Sequence, residues 1–487
     1  MVLSEKGSVT VFVSLMLTVI PSLILKSLKA ARTGAARAVL ACAADETLFS
    51  LLGHYDRTLL EKYDLFAYDA GYGTDVYRPD ALLGSLKEDM SRRTDDIRIT
   101  AAALSGCTLM TDLSGRILAD QAVKAAKDNA LGEGLTAVSQ LITGHAEETA
   151  AAEKRAGEAE AAAEAAAAEI EQGQGAAGDN DGGDKAGAPG LPDAADNVEP
   201  AEAQRLRESA EAIRTLRQST VLDFVCPEGV PSEQTCDPAS LPGGRTLNRG
   251  FGTIDAGSDL SGADASLWFD AYLTDHFGSL TNPEGGDGLQ YRLEQILFGK
   301  NSDRDNLSAV TTRLLLIREG LNIAAIRTQP ALKAAVDSAA AGLAALLAAP
   351  YLEPVLLLFL TAGWAYAESL LDIRTLYRGE SVPAVKTAEN WQVSLDALPR
   401  LISDPDSLRK TSSGGLSYHD YLRLLLIACP MDDKISRCAD MIEYGMRQSR
   451  PSFRLDHCLD AVSVTFTAAT ADHITLTVTR TDSYRTL

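Results

Sequence analysis

The stretch GSVTVFVSLMLTVIPSLIL, Gly7–Leu25, decides how this chain is organised, because none of its residues is charged. As an α-helix it would rise about 28 Å, close to the hydrocarbon thickness of a bilayer. Lys6 and Lys26 bound it on either side. We therefore predict a membrane anchor over residues 1–26, formed by Ser8, Phe12, Leu15, Leu17, Ile20, Pro21 and Leu25.

The main alternative is a secretory signal peptide that is removed from the mature protein. Its positive region would rest on Lys6 and the amino terminus, and no A-x-A site directly follows the apolar run. The small residues of Ala30–Ala38 read instead as a continuing helix. We therefore favour a retained anchor.

Apolar residues recur at helical spacing beyond the anchor, which predicts one helix from about Ser8 to the early fifties. We treat residues 27–94 as this continuation and its junction with the rest of the chain. The stripe predicted to pack on partner helices comprises Leu28, Ala31, Ala35, Val39, Leu52 and Leu59. Membrane lipid and other membrane proteins are the partners expected for the N-terminal helix.

The orientation of the anchor is ambiguous in the sequence. Lys26, Lys29, Arg32 and Arg37 follow the apolar run, whereas only Lys6 precedes it. The positive-inside rule would leave the bulk of the chain in the cytoplasm, although large domains translocate despite such charges.

Composition limits the class of partner and the number of domains. The 487 residues carry a net charge of −22, and the isoelectric point is about 4.7. Phosphate backbones require basic patches, so we expect no nucleic-acid partner. The length predicts two or more subdomains.

Seven cysteines are present, and none forms a C-x-x-C pair or stands at metal-ligand spacing from a histidine. Cys226 and Cys236 bracket one short loop, and Cys429 and Cys438 bracket another. Each pair is a candidate disulfide in an oxidising compartment, and the alternative is buried thiols. We expect neither a metal nor a cofactor.

The rest of the chain predicts an α+β fold that is predominantly α. Residues 95–225 should hold short strands at 97–100 and 107–110, then a long Ala/Glu-rich helical hairpin with a flexible tip at 173–199. The hairpin lacks large apolar side chains and should project from the body. We favour a tolerated insertion over a spacer or coiled-coil surface. Residues 226–487 should form a helical body ending in a β-hairpin (462–480) that joins the 97–110 strands in a small antiparallel sheet.

Residues 338–367 are apolar enough to raise the question of a second membrane span. Pro350 and Pro354 interrupt the stretch, which leaves halves of about 22 and 20 Å, shorter than a bilayer core of about 30 Å. We therefore predict two buried core helices.

No motif for phosphate, nucleotide or zinc-protease chemistry occurs, and no nucleophile elbow is present. Asp456, His457 and Cys458 are three reactive types in succession. Adjacent side chains rarely converge, whereas a Cys/His couple needs convergent geometry. We expect the protein not to be an enzyme.

Several blocks resemble known envelope proteins. KGSVTVFVSLMLTVIPSLILKSLKAAR (Lys6–Arg32) resembles the N-terminus of TadE/TadG-like pilus-assembly proteins. The order of four further blocks is similar to a Gram-positive family of uncharacterised function found beside tight-adherence (Tad/Flp) pilus loci. These blocks are HYDRTLLEKYDLF (His54–Phe66), ILFGKNSDRDNLSAVTTRLLLIREGLN (Ile296–Asn322), GWAYAESLLDIRTLYRGESVPAVKTAENW (Gly363–Trp391) and GLSYHDYLRLLL (Gly415–Leu426).

The resemblance implies an extracytoplasmic body and pilus-assembly partners. The chain departs from the pilin pattern, because a cut after Gly7 would place Phe12 where pilins carry a glutamate. We expect a non-enzymatic component of a Tad/Flp-type pilus or type II-like secretion apparatus, as an assembly factor or minor pilin-like subunit. The alternative is an extracytoplasmic binding or sensor protein.

Overall fold

The protein is described by a computed structural model that covers residues 5–94, 97–129, 148–162, 165, 200–218, 220–226, 231–254, 260, 264–283, 285, 288–408 and 414–486. It is 66% helical with a small antiparallel sheet, which confirms the α+β, predominantly α prediction. Two compact units form. The sheet unit comprises 1–127, 238–265 and 438–487, and the helical unit comprises 128–237 and 266–437. Each unit is assembled from separate stretches of the chain. The predicted boundaries at 94/95 and 225/226 therefore fall inside the sheet unit and the helical unit, respectively.

The first helix, α1 (Glu5–Leu52), is 48 residues long and contains Pro21, as the continuous helical pattern predicts. It ends where Gly53 N–H donates to Phe49 O at 2.9 Å. The short α2 (Arg57–Tyr63) follows, and the Asp56 carboxylate accepts from Leu59 N–H as its N-cap. The chain therefore turns between Leu52 and Leu59.

Four strands form the sheet: β1 (Tyr68–Asp69), β2 (Ile97–Leu109), β3 (Cys458–Thr470) and β4 (Thr475–Ser483). β3 pairs antiparallel with each of the others, which confirms that the C-terminal hairpin joins the 97–110 region. The two predicted short strands are one 13-residue strand. A register shift between Leu104 and Gly106 accommodates the Ser-Gly pair as an irregularity within β2.

The core of the sheet unit lies between the sheet and two helices, α1 and α3 (Pro79–Arg92). Leu40 and Leu48 of α1 belong to the same buried cluster as Val464 and Phe466 of β3. Burial of such side chains stabilises each by about 1.5–3 kcal/mol. The sheet unit also contains most of α4 (Asp112–Asn129) and the C-terminal part of α15 (Met431–Arg447).

The helical unit is built around α12 (Glu353–Tyr377), which contacts α10 (Asp303–Thr328), α11 (Pro330–Leu346) and α6 (Pro200–Gln218). The other helices here are α5 (148–162), α7 (Val221–Val225), α8 (Ala265–His276), α9 (Arg292–Phe298), α13 (Leu398–Ser403) and α14 (Tyr418–Ala428). α11 and α12 are the two core helices predicted for 338–367, separated by the Pro350–Leu352 turn.

The predicted projecting hairpin needs correction where it is described. Ala152 and Ala156 of α5 are fully buried, and Gly320 of α10 leaves room for Ala152, since a Cβ on Gly320 would collide with the Ala152 carbonyl. Arg155 donates to Gly320 O at 3.5 Å. The small side chains that seemed unable to bury surface therefore permit close helix contact instead. The predicted tip at 173–199 lies outside the described residues.

Candidate membrane interface and buried charges

The first half of α1 presents an unbroken apolar surface. The window of highest hydropathy has a mean of 2.1, and no residue in it is buried by the rest of the protein. Leu17 is 73% exposed. The predicted anchor residues in this exposed group are Phe12, Leu15, Leu17, Ile20, Pro21 and Leu25, whereas the side chain of Ser8 lies outside the described part.

This surface is suited to a lipid environment. The uncharged residues from Val9 to Leu25 rise about 26 Å as a helix, close to the thickness of a hydrocarbon core. The hydroxyl of Thr18 donates to Leu15 O at 2.9 Å, so this polar group is satisfied within the helix. Lys26 and Lys29 then supply exposed positive charges where phosphate headgroups would lie.

The second half of α1 is fixed to the sheet unit. Leu40, Ala44 and Leu48 are almost fully buried. Asp45 pairs with Arg480 of β4 at 2.6 Å, and the hydroxyl of Tyr484 donates to Leu52 O at 2.8 Å. The exposed apolar half is thus a continuous extension of a packed element.

The predicted partner stripe divides into two sets. Leu28, Ala31, Ala35 and Val39 are exposed on α1 and remain available to a partner. Leu52 and Leu59 are 2% and 0% exposed, so their assignment to a partner surface is wrong. Helical periodicity identified apolar positions but not what covers them, and the turn after Leu52 places Leu59 on a different helix.

None of the seven cysteines is in a disulfide, and all lie in the described residues. Cys438 is buried two helical turns into α15, so about 10 Å of helix separates it from Met431. Disulfide Cα atoms lie within about 7 Å of one another, so a bridge to Cys429 does not suit this geometry. Neither Cys226 nor Cys236 is in a disulfide, and the N–H of Cys236 donates to Asn301 O at 2.9 Å. Neither candidate disulfide forms.

Asp456, His457 and Cys458 do not form a reactive cluster. Asp456 accepts from Arg245 at 2.5 Å and from Asn248 N–H at 2.8 Å. Cys458 begins β3, and burial raises the pKa of its thiol well above the usual value. Burial also lowers the pKa of His457. These shifts disfavour both the thiolate and the imidazolium.

The sheet unit contains a cavity of about 940 Å³ beside the start of α4. Asp112, Arg116, Asp120, Arg249 and Thr111 are among its lining residues. Both oxygens of Asp112 accept from Gly250 N–H at 3.1 Å, so this carboxylate holds the loop. The Thr111 hydroxyl is buried and has no hydrogen-bond partner.

The helical unit contains four fully or almost fully buried charged side chains in mutual contact: Arg318, Glu368, Asp372 and Lys386. Arg318 of α10 pairs with Asp372 Oδ2 at 2.8 Å. Lys386, from the loop after α12, pairs with Asp372 Oδ1 at 2.5 Å and also with Glu368 Oε1. The two cations and two anions therefore neutralise one another. An unpaired charge at any of these positions would be costly to bury.

The two carboxyls of this buried charge network differ electrostatically. Burial raises the pKa of Glu368 despite the neighbouring Lys386. Burial also opposes ionisation of Asp372, but Arg318 and Lys386 outweigh it and lower the pKa of Asp372. Glu368 is thus the carboxyl that more readily becomes neutral, and Asp372 is the one held as an anion.

Sequence reasoning missed this network. The available signal was a pair of acidic residues four apart, Glu368 and Asp372, within an otherwise apolar helix. Among the described residues, no group of three or more His, Cys, Asp or Glu is arranged to hold a metal ion.

Residues 199–470 match the model of DUF5702, a protein family of unknown function. Searches of curated proteins and of solved structures returned no match. The matched region is more than half of the 487 residues. The chain therefore belongs to the DUF5702 family.

Proposed function

We propose that the protein is a membrane-anchored, non-enzymatic component of a Tad/Flp-type pilus or type II-like secretion apparatus. It acts as an assembly factor or minor pilin-like subunit, with the bulk of the chain outside the cytoplasmic membrane. The observation that carries the proposal is α1, whose exposed half matches a bilayer and whose buried half belongs to the sheet unit. The likeness of Lys6–Arg32 to TadE/TadG-like proteins supports the assignment to this apparatus.

The exposed set at Leu28, Ala31, Ala35 and Val39 is the surface that partner helices would use. These residues lie on one face of α1 between the lipid-facing segment and the buried segment beginning at Leu40. A second membrane protein of the apparatus would meet α1 there, just outside the headgroups. Small alanines allow a second helix to approach closely.

Replacing an apolar residue in the anchor tests membrane attachment. Leu17→Arg places a charge at the centre of the segment, where about 3 kcal/mol opposes insertion. We expect part of the variant to move to the soluble fraction after alkaline extraction. Phe49→Arg is the matched control, because Phe49 is also exposed on α1 but lies beyond the segment. Equal retention of both variants would contradict the anchor.

Replacing an apolar residue in the partner stripe tests assembly. Val39→Asp should shift the protein from a large detergent-stable complex to a smaller one, since Val39 is 49% exposed. Ala30→Asp is the control: nine residues turn a helix by two and a half turns, so Ala30 lies on the opposite face. Unchanged complex size in Val39→Asp would count against partner packing. Circular dichroism checks that both variants stay folded.

The side of the membrane is tested by protease treatment of wall-stripped cells that carry a C-terminal epitope tag. Loss of the tag, with a short stub left in the membrane, is the expected result. A tag that survives until the cells are lysed would place the body in the cytoplasm and overturn the extracytoplasmic part of the proposal.

The second candidate function is an extracytoplasmic binding or sensor protein. The cavity near Asp112 favours it, because charged groups and an unpartnered Thr111 hydroxyl line a space large enough for a small ligand. Arg249→Ala should then abolish ligand-induced thermal stabilisation in a screen of envelope polymers and small anions. If no such ligand raises the melting temperature, the binding or sensor function is contradicted and the pilus or secretion component is the remaining proposal.

A further inference from the structure

The buried charge network contains an amine and two carboxyls in the arrangement that an amide condensation needs. We propose that Lys386 Nζ and the side-chain carboxyl of Glu368 join in an intramolecular amide bond, which makes this pair a site of covalent self-modification. Lys386 and Glu368 are 2% and 0% exposed. The proposal does not depend on membrane anchoring or on pilus assembly.

The positions of the reacting atoms favour the bond. Lys386 Nζ is in contact with Glu368 Oε1, so the amine lies next to the carbon that it would attack. Enclosed pairs held in this way react as if at very high concentration. The Trp391 ring lies 6.0 Å from Nζ and forms part of an enclosure that bulk water does not reach.

Two backbone N–H groups are directed at the other oxygen of Glu368. Val393 N–H donates to Oε2 at 3.0 Å, and Gln392 N–H is shared between Oε2 at 3.1 Å and Oε1 at 3.0 Å. Negative charge develops on this oxygen when an amine adds to the carboxyl carbon. Fixed donors at such a position stabilise the tetrahedral intermediate, as an oxyanion hole does.

Asp372 can serve as the base in this step. Its Oδ1 contacts Lys386 Nζ at 2.5 Å, and Arg318 keeps Oδ2 in a separate ion pair. Asp372 accepts one proton from the ammonium and, after the amine has added to Cδ, a second proton from the same nitrogen; it passes both in turn to Glu368 Oε1, which departs as water. The Nζ–Cδ bond forms, the Cδ–Oε1 bond breaks, and one water molecule leaves. No oxidant, reductant or cofactor is consumed.

The energetics of burial favour the product. The reaction replaces one buried cation and one buried anion with a neutral amide. Ions held in a low-dielectric interior carry a desolvation penalty even when they are paired. The remaining pair of Arg318 and Asp372 stays electrically balanced after the reaction.

Mass spectrometry of the intact, denatured full-length protein tests the proposal without requiring any variant. We expect a mass below the sequence mass by one water molecule. Trypsin should fail to cleave after Lys386 and should release a branched peptide in which residues 334–374 are joined to 379–400. An unreduced mass with normal cleavage after Lys386 would overturn the proposal and leave an ion pair only.

Variants assign the roles. Lys386→Arg keeps the cation but removes the nucleophilic amine, so the mass deficit should vanish. Glu368→Gln keeps an electrophile and should lose one ammonia instead of water. Asp372→Asn should slow or prevent the reaction. Fragment ions that place the bond on Asp372 rather than Glu368 would overturn the assignment.

A matched pair on the surface serves as the control. Lys333 and Asp337 of α11 are also in contact, at 2.7 Å, but their side chains are 59% and 42% exposed. They lack an enclosing site, so trypsin should cleave normally after Lys333 in the same digest. Branched peptides at both pairs would indicate nonspecific chemistry during handling and would contradict a built site.

Discussion

Two helices among the described residues are long and apolar enough to cross a bilayer, and they differ in what surrounds them. The Val9–Leu52 segment has a window of mean hydropathy 2.1 with nothing buried, whereas the window in Pro350–Tyr377 reaches 1.4 and is 78% buried. The second contains Glu368 and Asp372, whose charges are met by other residues of the protein. Hydropathy therefore detects both helices, but only the presence of internal partners distinguishes a core helix from a candidate anchor.

Placing a charge in each helix should give the largest difference in the free energy of unfolding. Leu370 of α12 is fully buried, so Leu370→Asp should cost on the order of 5 kcal/mol and unfold the helical unit. Leu17→Asp should leave the circular dichroism and urea midpoint of the detergent-solubilised protein unchanged. A Leu370→Asp variant as stable as the wild type would break the comparison.

Removing a buried charge should have the next largest effect. Arg318→Ala leaves Asp372 without its main partner, and loss of one member of a buried pair costs about 3–5 kcal/mol. Arg313, on the same helix, pairs with Glu153 at 2.5 Å but is 45% exposed, so Arg313→Ala should cost less than about 1 kcal/mol. Urea unfolding of both variants measures the difference, and equal losses would contradict the role assigned to burial.

Buried helices should also show a pH-dependent stability, which arises at a carboxyl of the helical unit. Burial raises the pKa of Glu294 in α9 to about 7, against 4.5 for the unperturbed group. The unfolded chain releases this proton first, so the contribution of Glu294 to stability falls as pH rises from about 4.5 to 7. The full effect would be about 3 kcal/mol.

Glu294→Gln is the variant that isolates this effect, because its amide oxygen can still accept from Leu280 N–H and the Tyr418 hydroxyl. Its free energy of unfolding should decrease less than that of the wild type between pH 5 and pH 8. Parallel pH profiles for the two proteins would show that Glu294 does not titrate in this range.

The smallest expected change in stability comes from replacing one glycine in each helix with alanine. A Cβ on Gly363 of α12 would lie 2.4 Å from Ile213 Cγ2, whereas nothing lies within 4 Å of one on Gly34 of α1. Overpacking costs about 1–3 kcal/mol, and alanine gains about 1 kcal/mol of helix propensity. Gly363→Ala should therefore lower the melting temperature, and Gly34→Ala should leave it unchanged or raise it. A raised melting temperature in Gly363→Ala would show that Ile213 of α6 moves aside without a measurable cost in stability, which would contradict the expected overpacking.

Local pattern was sufficient to predict much of the fold. An uninterrupted apolar run and helical periodicity predicted α1 from Ser8 to the early fifties, and strand alternation predicted the hairpin of β3 and β4. The interruption at Pro350 correctly indicated two core helices. These features depend on neighbouring residues, so the sequence carries them directly.

Features that depend on distant segments were not predictable. The four members of the buried charge network come from α10, α12 and the following loop, and no local pattern brings Arg318 to Asp372. Leu52 and Leu59 fit an apolar stripe equally well as partner surface or as core. The burial of Ala152 follows from Gly320, more than 160 residues away.

The most direct measurement of the anchoring proposal uses a native residue. Cys42 is exposed on α1 beyond the apolar segment, whereas the other cysteines are buried or half-buried. A membrane-impermeant maleimide should label wall-stripped intact cells at Cys42, and Cys42→Ser should remove that label. If Cys42 reacts only after lysis, the body lies in the cytoplasm and the extracytoplasmic account is contradicted.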